Sequence, residues 1–145
     1  MSRVIEIVEV GPRDGLQNEK TVVSTADKIE LINRLEAAGS RRLETVSFVH
    51  PGRVPQMADA EAVMAGLTAN PDVTRIGLVL NARGWDRAVE TGVDQANVSI
   101  AASDGFKSTP INRYRLASFV SCIRLRPEEF PDARISNIFL SNSSC

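Results

Sequence analysis

The feature that most constrains this chain is a repeat in which short β-branched, apolar runs alternate with segments of helical periodicity. Val4-Ile5-Glu6-Ile7-Val8-Glu9-Val10 is nearly continuous in apolar character and is stopped by Gly11-Pro12, which predicts a buried parallel strand over 4–10. Ser24, with Asp27 three positions on, supplies a helix cap; Ile29, Ile32 and Leu35 follow at helical spacing, and Gly39 offers a stop. The pattern then returns, with strands expected over 42–48, 74–80 and 95–100 and helices over 55–67 and 83–90. Parallel neighbours need crossover connections, and helices supply them, so about four βα units predict an α/β protein with a parallel sheet. Pattern alone fits both an open doubly wound sheet and a TIM barrel.

After Phe106 the character changes. Residues 107–145 hold no glycine, seven serines and six basic residues against three acidic ones, whereas residues 1–106 hold eleven basic against fifteen acidic. The βα rhythm is not clearly continued there, so the expected division is a repeat-bearing region over 1–106 and a divergent tail over 107–145. The formal net charge of -1 offers no global attraction to nucleic acid or to anionic lipid, and neither partner is expected. Glu6 and Glu9 interrupt the segment where a signal peptide needs an apolar core, and no run reaches transmembrane length, so a cytoplasmic location is expected. The two cysteines, Cys122 and Cys145, form neither a disulfide framework nor a metal-type spacing, which suits a reducing compartment.

Chemistry concentrates at the C-terminal ends of the expected strands, the edge where ligands bind in parallel α/β folds. Gly11-Pro12-Arg13-Asp14-Gly15-Leu16-Gln17-Asn18-Glu19 follows the first strand directly. An aspartate there can ligate a hard divalent cation, and an adjacent arginine offers a fork of donors to a carboxylate or a developing oxyanion. A local ion pair in a turn would use the same two residues. Glu44, inside an apolar strand, needs either a metal or a basic partner such as an arginine from a neighbouring strand. By period two Glu44, Val46 and Phe48 share one side, which puts Ser47 on the other unless the strand ends there. His50, the single histidine, lies in a loop where a hydrogen-bonding or solvent-facing role is the ordinary one, and no catalytic role is assigned to it. Trp85 reads as core, and Arg83 and Arg87 as a solvated helix face, although the three could pack against or attract a nucleotide.

Pro12 to Glu19 resembles, almost letter for letter, the first-strand motif of the hydroxymethylglutaryl-CoA lyase family of DRE-TIM metallolyases. Glu44 to Val49 and Val54 to Asp59 are similar to that family's second-strand and following-loop segments, while Leu80 to Gly84 and Ala101 to Ser103 match more loosely. The resemblance implies the N-terminal part of a TIM (β/α)8 barrel and a divalent metal, Mg2+ or Mn2+. It implies an acyl-CoA substrate and retro-Claisen cleavage of 3-hydroxy-3-methylglutaryl-CoA to acetyl-CoA and acetoacetate. Asp14 would be the metal ligand and Arg13 the stabiliser of enolate charge. Glu44 would join Arg13 in catalysis, and Gln17 and Ser47 would line the substrate pocket with it. The family also has two later histidines, an asparagine and a mobile-loop cysteine that find no match here, so an incomplete site of very low activity is expected. A half-barrel would need a second copy or a complementary half. A related acyl-CoA lyase or Claisen synthase and a non-catalytic truncated fragment are the alternatives.

Overall fold

A computed structural model of the chain describes residues 5–98, and every structural statement below concerns those residues. The capping pair predicted from sequence starts helix α1, Thr25–Ala37: Ser24 Oγ accepts from the Asp27 backbone N–H at 3.2 Å and donates to its carboxylate at 2.6 Å. Gly39, at φ 101°, takes the left-handed conformation that ends the helix and turns the chain into strand β1, Arg42–Ser47. Helix α2, Ala60–Gly66, strand β2, Thr74–Val79, helix α3, Ala82–Thr91, and strand β3, Gln95–Val98, follow in order. Helix α3 opens on Asn81, whose Oδ1 accepts from Gly84 N–H at 2.9 Å, and closes on Gly92 at φ 69°. The three strands form one parallel sheet in the order β1-β2-β3, each crossover made by a helix.

The two faces of this sheet differ in chemistry. Leu43, Val46, Phe48, Val79, Ala96 and Val98 pack with Ile32 of α1, Val63 of α2 and Trp85 of α3 into one apolar cluster. Phe48 lies so close over β2 that a Cβ at Gly77 would meet its ring at 2.5 Å, which is why that position carries no side chain. The opposite face carries Arg42, Glu44, Gln95 and Asn97, joined across β2 by two hydrogen bonds, Arg42 to Gln95 and Asn97 to Glu44. In β1 and β3 the mixed polar and apolar positions therefore resolve into a mainly apolar side toward the helices and a polar side away from them, while Ile76 and Leu78 of β2, alternating with Gly77, add two buried apolar side chains to the latter.

Two expectations are corrected here. The predicted strand over 4–10 is represented only by a single parallel bridge, Glu9 with Leu43, closed by Glu9 N–H to Arg42 O and Glu44 N–H to Glu9 O. Ile5 and Ile7 are 85% and 83% exposed. With no apolar cover for those side chains among the described residues, a ladder there would gain backbone bonds alone, too little to offset the entropy of ordering an edge. The predicted helix over 55–67 is split into a 3-10 turn, Pro55–Met57, and α2. Lys28 Nζ donates to Gln56 O at 2.5 Å, taking the carbonyl that a continuous helix would offer to Ala60. The segment directly after the first expected strand, where a turn was one reading, forms one π-helical turn, Gly11–Gly15, with Leu16 N–H reaching the Gly11 carbonyl. Of the predicted strand 95–100, the last two residues lie outside the described region, as do Ala101 to Ser103, the 106/107 junction, Cys122 and Cys145.

Candidate active site

The π turn sits at the C-terminal edge of the sheet, where it aims Arg13 back across β1. Arg13 Nε and Nη2 donate to Glu44 Oε2 at 2.9 and 2.5 Å, and Nη1 donates to Asp14 Oδ1 at 2.7 Å. Glu44 is 2% exposed, so its charge is removed from water and compensated by the guanidinium. Its other oxygen, Oε1, accepts from Asn97 Nδ2 of β3 at 2.8 Å. A guanidinium has five N–H donors, of which these contacts use three, leaving two for an incoming oxygen. The arginine partner expected for a buried Glu44 is thus Arg13 itself, so the catalytic and the structural readings of Glu44 describe one contact.

The parity expected for β1 is corrected by a bulge. Pairing with β2 shifts between Glu44 and Val46, opposite Ile76 and Gly77. Thr45 bonds toward the helices, to Met64 Sδ at 3.5 Å and Ile76 O at 3.2 Å, which puts Glu44 on the other face. Phe48 also lies on the helix side, with the Arg87 guanidinium 5.6 Å from its ring centroid, so alternation returns Ser47 to the Glu44 face. Ser47 is fully buried, and its Oγ has no hydrogen-bond partner; Gln17 Oε1 and Asn97 Oδ1 are likewise buried and unpartnered. Gln17 stands four positions after Arg13, past the π turn. Unpaired buried oxygens are uncommon in folded proteins, and three of them lie on segments that carry the Arg13 cluster.

Asp14 differs from Glu44 in being 54% exposed on its side chain. It can offer one carboxylate to a cation, but its Oδ1 already accepts from Arg13, and no three His, Cys, Asp or Glu side chains come together among the described residues. The donor set of residues 5–98 therefore does not by itself make a divalent-metal site. His50 is exposed, and its Nδ1 accepts from Gly52 N–H at 3.1 Å, the hydrogen-bonding role expected of it. Trp85 is core, as predicted. Arg83 is exposed, but Arg87 is not a free surface charge: it binds Glu61 through Nε and Nη2 and the Val49 carbonyl through Nη1 at 3.0 Å. The Arg87 hydrogen bond holds the Glu61 carboxyl below its ordinary value against the opposing effect of burial.

A second polar group clasps the loops that flank the site. Lys28 is buried and pairs with Asp59 at 2.6 Å, Thr25 Oγ1 donates to the same carboxylate at 2.7 Å, and Gln56 Nε2 donates to Glu19 O at 2.6 Å. Burial alone would raise the Asp59 carboxyl, but the hydrogen bonds from Lys28 and Thr25 and the Lys28 charge hold it below its ordinary value. Asn97 is the site residue that sequence reasoning missed. The signal was present in Gln95-Ala96-Asn97-Val98, where two polar residues alternate with two apolar ones and so mark a polar sheet face.

The sequence model of the HMGL-like family matches residues 4–125, most of the chain and all of the cluster just described. The chain belongs to the HMGL-like family. Among relatives of this HMGL-like chain, the 3-hydroxy-3-isohexenylglutaryl-CoA/hydroxy-methylglutaryl-CoA lyase of Pseudomonas aeruginosa is 46% identical over 112 residues, which cover 77% of this chain and 37% of that protein. The mitochondrial hydroxymethylglutaryl-CoA lyase of Homo sapiens is 46% identical over 108 residues, 74% of this chain and 33% of the human protein. The HMGL-like chain thus spans about a third of the length of these curated relatives. It superposes on the crystal structure of the Pseudomonas aeruginosa hydroxymethylglutaryl-CoA lyase with a TM-score of 0.76 at 43% identity, covering 86% of this chain and 42% of that one. An HMG-CoA lyase from Acinetobacter baumannii in complex with coenzyme A and 3-methylmalate gives 0.74 at 33% identity, covering 87% and 44%. The βα units are accordingly part of a TIM barrel, the architecture that the resemblance implied.

Proposed function

We propose that this chain supplies one wall of an acyl-CoA lyase site, acting on 3-hydroxy-3-methylglutaryl-CoA or a close analogue. The observation that carries the reading is the buried Arg13–Glu44 pair at the sheet edge, with two guanidinium N–H donors uncommitted. In retro-Claisen cleavage the substrate hydroxyl loses its proton, the C–C bond breaks, and its electron pair moves onto the thioester as an enolate that is then protonated to acetyl-CoA. Arg13 would hold the thioester oxygen while that charge develops, its guanidinium anchored by the buried Glu44. Ser47 and Gln17 would orient the acyl group through their unpartnered oxygens. The family resemblance adds a divalent metal, Mg2+ or Mn2+, with Asp14 among its ligands. The similarity to a lyase crystallised with coenzyme A supports acyl-CoA as the ligand class.

The test is acetoacetate release from 3-hydroxy-3-methylglutaryl-CoA by the purified chain, with Mn2+ added. Loss of an oxyanion-type donor costs about 10²–10³ in rate, so Arg13→Ala is expected to bring release to background, and Asp14→Ala to do the same. Equal release by Arg13→Ala and the unaltered chain would sink the assignment. Release at background from all three proteins would favour the second reading, which the partial coverage of the relatives motivates: a catalytically incomplete segment of a lyase.

A further inference from the structure

Asn97 lies outside the residue blocks that carry the family resemblance, yet it is the one β3 side chain that reaches the Arg13 cluster. We infer that Asn97 is a positioning residue for Arg13, acting through Glu44; its catalytic consequence, though not its geometry, rests on the lyase reading above. Both Arg13 contacts go to a single carboxylate oxygen, Glu44 Oε2, rather than one to each oxygen. Anchoring by one oxygen leaves a carboxylate free to swing about its terminal torsion, which is broad and shallow. The Asn97 amide, on Oε1 at 2.8 Å, removes that freedom.

The orientation of the amide is not arbitrary. An ionised carboxylate only accepts hydrogen bonds, so Asn97 must present its NH2 to Glu44, and its Oδ1 must face away. That oxygen is buried and has no partner. Asn97 projects to the face opposite Ala96 and Val98, where an apolar residue would leave the buried Oε1 of Glu44 without its donor, whereas asparagine satisfies that oxygen while stranding its own Oδ1. What asparagine adds is a donor directed at Glu44, and through Glu44 a fixed plane for the guanidinium. Strand β3 is thereby coupled to the π turn across β1 and β2.

The full chain, labelled with 15N-arginine, tests this through solvent exchange of the Arg13 Nε–H in the unaltered protein, Asn97→Leu and Asn97→Ala. Arg75 is an internal control, because its Nε donates to Glu36 at 2.9 Å on the opposite face of the sheet. Exchange at Arg13 is expected to quicken about tenfold in both variants, the size of one lost hydrogen bond, with Arg75 unchanged. Unchanged exchange at Arg13, or equal quickening at both arginines, would overturn the inference, since the first denies the coupling and the second reports general loosening. The same variants, assayed for acetoacetate release, should lose kcat with KM nearly held. An inactive parent chain would count against the lyase reading alone, while the Arg13 signal still decides the positioning role.

Discussion

Arg13 and Glu44 meet across 31 positions of sequence, and most of what the site can do depends on that one contact. Removing either partner leaves the other buried and uncompensated, which typically costs about 3–5 kcal/mol. Glu44→Ala should therefore lower the unfolding free energy by about 3 kcal/mol, read as a reduced urea midpoint with an unchanged slope. Arg13→Lys should keep a positive charge near Glu44 but lose the two-donor fork, so stability should recover further than acetoacetate release. Asp14 should behave differently, because it is half-exposed: Asp14→Asn should shift stability by less than about 0.5 kcal/mol, while its effect on release tests its place in the site.

At the scale of elements, the Lys28, Asp59 and Gln56 clasp joins α1 to the loops that flank the site. Asp59 titrates below the ordinary carboxylate value of 3.8, so the folded state holds the ionised form more tightly than the unfolded chain does. Its contribution is fully present above that value and is lost as pH falls through the lower folded value. Asp59→Asn should flatten acid unfolding below about pH 4 relative to the parent chain, measured by circular dichroism against pH. Gly77→Ala should destabilise by about 1–3 kcal/mol, since its Cβ would meet the Phe48 ring, and a Phe48→Leu background should relieve part of that loss. These elements also show how much could be read from sequence. Helices α1 and α3 and strands β1 to β3 were legible because caps, periodicity and β-branched runs are local signals. The π turn, the split before α2 and the bulge at Thr45 were not, because each depends on a distant partner: Glu44 for Arg13, Lys28 for the Gln56 carbonyl, β2 for the register. The same limit applies to the site. Arg13, Asp14, Gln17, Glu44 and Ser47 stood out through a motif, whereas Asn97 becomes visible only when β3 lies two strands from Glu44.

At the scale of the whole described region, stability should be graded across the sheet. β2 has partners on both sides, whereas the segment before Glu9 has one bridge and exposed isoleucines. Native-state hydrogen exchange should find the amides of Gly77 and Leu78 among the slowest and those of Ile7 and Val8 near the unprotected rate. No helix among the described residues is long and apolar enough to cross a membrane. The bulge at Thr45 has a bearing on anyone who would transplant this site. A carboxylate and a hydroxyl three positions apart serve one surface only because the strand skips a beat between them. Copied onto a regular host strand, the tetrapeptide Glu-Thr-Val-Ser would deliver one group inward and the other outward, whereas deleting Thr45 here would remove the bulge and leave Glu44 and Ser47 on one face by ordinary alternation. The segment can therefore be borrowed in two ways, with its irregularity intact or as the shortened Glu-Val-Ser on a regular strand, because either one keeps the carboxylate and the hydroxyl on one face.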